Sequence, residues 1–422
     1  MSSQKLSSWI EAVCREPYRL FFPLGAVMGI MGVSPWFFYA LGWLKTYPGL
    51  FHASFQIMTY MTGFITGFLL TAMPRLLDTD HATKFELSVF LFLIMAMAGF
   101  LSFDSRIAAE VCFLLWLGWL ILFGFRRILK NEKGPKGATP PNEFIWIPVA
   151  VGHGAIGTSL LMSGQLNLLP AWALLVGKPM MEQGFLLSIV LGVGGFLIPK
   201  LTGRKQAPIS ENQEKECGGL ETKHDFIKRM TGILYALGGL VFFCSYWTQG
   251  GLGLAAPSRW IRVVVIFGMF LFTKALWPPR GKPLHIKMLW ISVWSVALGY
   301  LGVALFPQQY LAMEHLAFIG GFGLMTYCVG TVVVVTHAGQ AQRLQSSLGI
   351  LWVVGIGTAL SLTARFSAIV WPRFHYHFLG LSAFIGAVVA VCWLIFIWPL
   401  LFKVPSEADS AREHEQARKK MS

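Results

Sequence analysis

Ten histidines stand in a chain that is otherwise sparing with ionisable side chains. Six of them fall inside or at the ends of long apolar runs, where an ionisable group is costly and usually has a task. One run, EHLAFIGGFGLMTYCVGTVVVVTHAG, begins near His315 and ends near His337. On an α-helix their separation spans about 33 Å. At 100° per residue it leaves about 40° of rotation, so both imidazoles would share one face. His52 and His285 open two other runs, at the depths expected for His315 and His337 respectively. Neutral imidazole is a ligand for haem iron and for copper. Taken singly, each of the four also reads as a polar anchor at a membrane surface; pairing by depth is what points to a metal or haem. Below His52, Gln56, Tyr60 and Gly63 follow on one face and combine hydrogen bonding with room for a macrocycle.

The remaining candidates say less. His153, in VGHGAIG, serves either a function or a satisfied interhelical hydrogen bond. His375 and His377 flank Tyr376 close to Arg365 and Arg373, as a solvated loop or a cluster for copper or haem propionates. His81, His224 and His414 sit in polar segments and are expected to be solvated. Lys178 and Glu182 have the spacing of a helix ion pair, placed by this reading at an outer interface. The six cysteines form no CxxC pair and no CxxCH haem attachment. Motifs for phosphates, dinucleotides or hydrolysis are absent. Glycines such as Gly63 and Gly67 lie in the spans, where small residues allow close helix packing.

The elements that must position these residues follow from composition. Of 422 residues, 55% are hydrophobic and 13% charged, with a mean hydropathy of +0.60. Soluble globular, disordered and disulfide-scaffold classes are thereby excluded. A run of about 20 apolar residues crosses a bilayer core. Such runs occur near 21–44, 52–74, 86–103, 107–125, 143–163, 182–200, 229–248, 258–277, 286–305, 312–336, 345–363 and 376–402. The fold class is therefore all-α, a polytopic membrane protein with about twelve transmembrane helices. With both termini cytoplasmic, 27 of the 34 Lys and Arg residues fall on the inner side, as the positive-inside rule requires. The net charge of +14 thus marks cytoplasmic loops, not a nucleic-acid partner. Residues 1–20 form a cytoplasmic N-terminal segment, 21–403 the membrane domain and 404–422 a polar tail with scope for a short helix. The run from Phe21 is too long for a signal-peptide core and reads as a retained first span. Residues 164–181 read as an outer loop with a short interfacial helix.

At these residues the sequence resembles the NnrS family of bacterial membrane proteins. FHASFQ at 51–56 and GFLLTAMP at 67–74 are similar to the family's Trp-His-Ala-His-Glu segment and its Gly-Phe-Leu-Leu-Thr-Ala-x-Pro run. GGFLIPKLTG at 194–203 resembles a Gly-Arg-x-Ile-Pro motif, and LHIKMLW at 284–290 matches Leu-His-x-x-x-Leu-Trp. Residues 315–340 resemble the family's His-then-Gly-x-x-x-x-Met-Thr span ending in Gly-His-Thr-Gly-Arg. Departures are Ser54 and Phe55, Gly195-Phe196, Val332, Ala338 and Gln340.

The resemblance implies a multi-pass protein of the bacterial inner membrane, containing haem and copper and tied to nitric oxide metabolism and nitrosative-stress defence. It carries over His52, His285, His315 and His337 as the motif histidines, expected to bind haem iron. Non-covalent b-type haem, one or two groups, is the expected cofactor. If copper uses the histidine missing at Ser54, the chain holds haem without copper. On this reading His52 and His315 ligate an outer site and His285 and His337 an inner one, with Arg365 and Arg373 available to propionates. Expected partners are the lipid bilayer and nitric oxide or a quinol or other redox partner. Binding of nitric oxide, electron transfer across the membrane and a nitric-oxide-linked oxidoreductase activity all fit. The competing classes are a multi-span transporter without haem and an assembly partner of a respiratory complex.

Overall fold

Apolar runs with no water to satisfy their backbone must form helices. The computed structural model, which describes residues 3–131, 141–201, 220–280 and 283–403, consists of helices and their connections. A first helix, α1 (Ser3–Arg15), precedes the spans. Among the described residues, twelve helices are long and apolar enough to cross a membrane. They are α2 (Tyr18–Ala40), α3 (Gly49–Leu76), α4 (Lys84–Ser102), α5 (Arg106–Leu129), α6 (Asn142–Gln165) and α7 (Trp172–Leu201). Then follow α8 (Lys228–Gly250), α9 (Ala255–Phe272), α10 (Leu284–Leu305), α11 (Pro307–His337), α12 (Gly349–Val370) and α13 (Pro372–Leu401). The tail 404–422, with its expected helix and His414, lies outside the described residues, while His224 falls in the helix Leu220–Gly250 that leads into α8.

Eleven spans lie close to their expected positions; α7 does not. It begins at Trp172 and not near residue 182, so most of the expected outer loop is helix. Lys178, Pro179, Glu182 and Gln183 interrupt the apolar signal there, but the backbone continues through them in a π turn, Met180–Gly184. A second π turn follows at Val190–Gly194. Further π segments interrupt α3 at Gln56–Met61 and α11 at Leu316–Gly323. Such bulges insert a residue into the helical register and recur at functional sites.

The chain divides into two compact units, 1–138 with 283–289 and 318–422, and 139–282 with 290–317. In the first, α2 presents Gly25, Gly29 and Gly32 to α3. A Cβ on Gly63 would fall 2.8 Å from the Gly25 Cα, and one on Gly29 would meet the Tyr60 ring at 3.0 Å. This is the small-residue contact that brings two membrane helices into backbone proximity. Thr59, Thr62, Thr66 and Thr71 donate their hydroxyls to carbonyls four residues back, which satisfies them without a partner helix. Two buried indoles then donate to threonines: Trp116 to Thr66 and Trp393 to Thr331. The buried Arg127–Glu86 pair, at 3.1 Å, joins α5 to α4, and Thr83 with Glu86 forms a capping box at the start of α4. In the second unit, Gly157 of α6 and Gly177 of α7 face one another, each leaving no room for a Cβ.

Candidate functional site

His52 lies one turn into α3, where the glycine contact holds that helix against α2. Its Nδ1 is 2.9 Å from the Gly32 carbonyl oxygen. A carbonyl only accepts, so Nδ1 carries the proton and Nε2 the lone pair. That is the arrangement in which a second interaction orients a metal-binding imidazole. Gln56, one turn further on, donates to the Gly29 carbonyl at 3.0 Å, and Trp36 stands edge-on to the His52 ring. Arg365 of α12 is within electrostatic reach of His52, so this expected propionate partner is brought to the histidine. Arg373, by contrast, lies over the Phe374 ring on an exposed turn. His375 is bound through Nδ1 to the Ala368 carbonyl.

His315, in the second unit, has the same pattern. Its Nδ1 donates to the Leu311 carbonyl one turn earlier. Immediately after it come the π turns of α11. The rotation expected between His315 and His337 assumed an uninterrupted α-helix, and eight π residues break that register. Next to His315, Glu314 accepts from the Gln183 amide at 2.7 Å, and Lys178 pairs with Glu182 at 2.6 Å. Both contacts lie within the helices long and apolar enough to cross a membrane, and not in the loop expected at 164–181.

His285, at the start of α10, is buried, and its Nδ1 has no hydrogen-bond partner among the described residues. The ring bonds the backbone of Leu344. His337, at the end of α11, has a different setting. Arg75 of α3 approaches its Nε2 at hydrogen-bond distance, Glu16 lies 3.8 Å from its Nδ1, and the Tyr18 ring packs against it at 5.1 Å. Glu16 also accepts from Arg75 at 2.7 Å and from Arg19 at 2.8 Å. Burial works to raise the Glu16 carboxyl, but the Arg19 and Arg75 guanidiniums hold it below the usual 4.5.

His153 is completely buried in α6, with Nδ1 on the Val149 carbonyl at 2.9 Å and Ser188 at 3.3 Å. Its Nε2 has no partner among the described residues. Phe242, Phe243 and Tyr246 enclose the ring. A Cβ on Gly184 would come within 2.4 Å of the ring and 3.1 Å of Nε2. No space remains there for a macrocycle.

Among the described residues, no three or more His, Cys, Asp or Glu side chains gather into a group that could hold a metal ion. Haem needs no such cluster, since one or two imidazoles suffice. For iron, the settings of His52 and His315 fit a ligating imidazole. The buried Nδ1 of His285 has no hydrogen-bond partner among the described residues and is a further candidate ring nitrogen. The setting of His337 does not fit. Sequence reasoning missed Glu16, Arg75 and Gln183, because their partners lie on other helices and no local motif marks them.

Fold and site together define a polytopic helical membrane protein with histidines at the ends of its spans. The model of the family described as NnrS protein matches residues 12–404, and the chain belongs to that family. Among curated proteins none matches the chain.

Proposed function

We propose that this NnrS-family protein is a haem-binding protein of the bacterial inner membrane that serves nitric oxide or nitrosative-stress metabolism. The observation that carries the reading is the His52 imidazole, whose proton is committed to the Gly32 carbonyl and whose lone pair is thereby directed to Nε2. His315 repeats the arrangement on the Leu311 carbonyl, and His285 offers a buried nitrogen with no partner among the described residues. Each of these residues would serve as a haem ligand. Bound iron with an open axial position can take nitric oxide, and with two imidazoles it passes single electrons.

The residues themselves do the rest. The carbonyls of Gly32 and Leu311 fix tautomer and ring orientation. Arg365 supplies a positive charge near His52 for an anionic ligand edge. Gln56 bonds Gly29 and steadies the turn next to His52.

The test is an optical spectrum of the purified protein, oxidised and dithionite-reduced, before and after nitric oxide. A Soret band that weakens in His52→Ala and His315→Ala supports the reading. A further shift with nitric oxide favours ligand capture, and no shift favours electron transfer. A colourless protein, expressed with adequate haem, overturns it.

A second reading, a transporter without haem, draws on the Lys178–Glu182 pair and the Gln183–Glu314 bond inside the spans and beside π turns. Ionisable groups in broken membrane helices mark ion or substrate paths. A colourless protein moves this reading to first place.

A further inference from the structure

His337 is one of four histidines that sequence and family resemblance mark for iron, but its surroundings give it other work. Arg75 is a guanidinium and can only donate. Its Nη1 meets His337 Nε2, so Nε2 must present its lone pair to Arg75. The ring proton then resides on Nδ1, the nitrogen that faces Glu16 Oε1 at 3.8 Å. A lone pair that accepts from a cation is not available to a metal, and the other nitrogen holds the proton.

The same carboxylate binds Arg75 at 2.7 Å through Oε1 and Arg19 through Oε2. Arg19, only 1% exposed, also donates to the carbonyls of Leu401 and Lys403 at the end of α13. Around Glu16 the structure therefore ties the α1–α2 junction, the end of α3, the end of α11 and the end of α13. The residue there must accept from Arg75, and an N–H facing Glu16 at 3.8 Å adds an electrostatic contact beyond hydrogen-bond length. Neutral imidazole does both; an ammonium or guanidinium only donates, and a carboxylate only accepts.

We propose that His337 is a positioning residue in this clamp and not an axial ligand to iron. This rests on the haem reading, under which His285 is the motif histidine left at the inner end that would hold a haem able to take nitric oxide.

Glutamine separates the two roles. Its amide oxygen can accept from Arg75 and its amide nitrogen can face Glu16, but it is no substitute for imidazole at haem iron. In the full-length protein in detergent, His337→Gln should keep the wild-type melting temperature, haem content and oxidised spectrum. His337→Leu should melt several degrees lower with its haem retained. Arg75→Met should lower melting similarly, and Arg75→Met with His337→Leu should melt no lower than the more damaging single change. His285→Ala should reduce the nitric-oxide-induced spectral shift while His337→Gln leaves it intact. Loss of a haem signal in His337→Gln, or failure of glutamine to restore the melting that leucine loses, overturns the clamp. If the wild type is colourless, the haem reading and the haem site at His285 fall. Rescue by glutamine then decides the clamp without haem.

Discussion

The glycine contact between α2 and α3 makes a steric prediction that can be worked through. Gly63→Ala places a methyl 2.8 Å from the Gly25 Cα, 3.2 Å from its nitrogen and 3.4 Å from the Phe21 carbonyl oxygen. All three are backbone atoms and cannot rotate away. Carbon contacts are optimal at about 3.5–4.0 Å, so the helices must separate there by roughly 0.7 Å or more. His52 sits on α3 and its bond runs to Gly32 on α2, at 2.9 Å. Separation passed whole to that end would stretch it to about 3.6 Å, beyond a hydrogen bond. Overpacking costs about 1–3 kcal/mol, and the lost bond adds about 0.5–1.5 kcal/mol. The assay is thermal unfolding in detergent beside Gly99→Ala and Gly118→Ala, whose methyl groups would meet nothing within 4 Å. Those controls should melt as the wild type or slightly higher, since alanine favours helix over glycine. Gly63→Ala melting with the controls would refute the idea that this crossing is limited by backbone contact.

Other outcomes follow from the same structure. Arg127→Met strands the buried Glu86 carboxylate and should cost about 3–5 kcal/mol; Glu86→Gln in the same chain should restore much of the lost melting temperature. Gly184→Ala drives a methyl against the His153 ring and should destabilise by about 1–3 kcal/mol, with any Soret spectrum unchanged because His153 holds no haem in this reading. Glu16 is a better acid folded than unfolded, held charged by the Arg19 and Arg75 guanidiniums against the effect of burial. Its contribution is therefore complete above its usual value of 4.5 and disappears as the pH falls through the lowered native one. Melting temperature measured against pH should fall on that acid limb, and Glu16→Gln should flatten it; an unchanged limb would mean the carboxylate is not the group responsible.

Twelve spans were legible because a bilayer accepts only helices of a certain length, and hydropathy measures that length directly. The start of α7 is hidden from hydropathy, because Lys178, Glu182 and Gln183 break the apolar run although they pair inside the structure. Hydropathy counts each polar side chain as if it were alone, whereas a partner on the same or another helix removes most of its cost. The π turns were equally hidden, since their residues form α-helix just as well in isolation and only packing against neighbours selects the wider turn.

The histidines divide along the same line. Residue type and position at the ends of apolar runs were enough to single out His52, His285, His315 and His337 as chemically capable groups. What each ring nitrogen does depends on atoms far away in the chain. Gly32 gives His52 its carbonyl partner, while Glu16 and Arg75 occupy both sides of His337. Sequence determined the class of protein, its helices and its stock of imidazoles, because those follow from local composition. Tertiary structure decided which carbonyl, carboxylate or guanidinium each imidazole meets, because a hydrogen bond is made by proximity in space, whatever the separation along the chain.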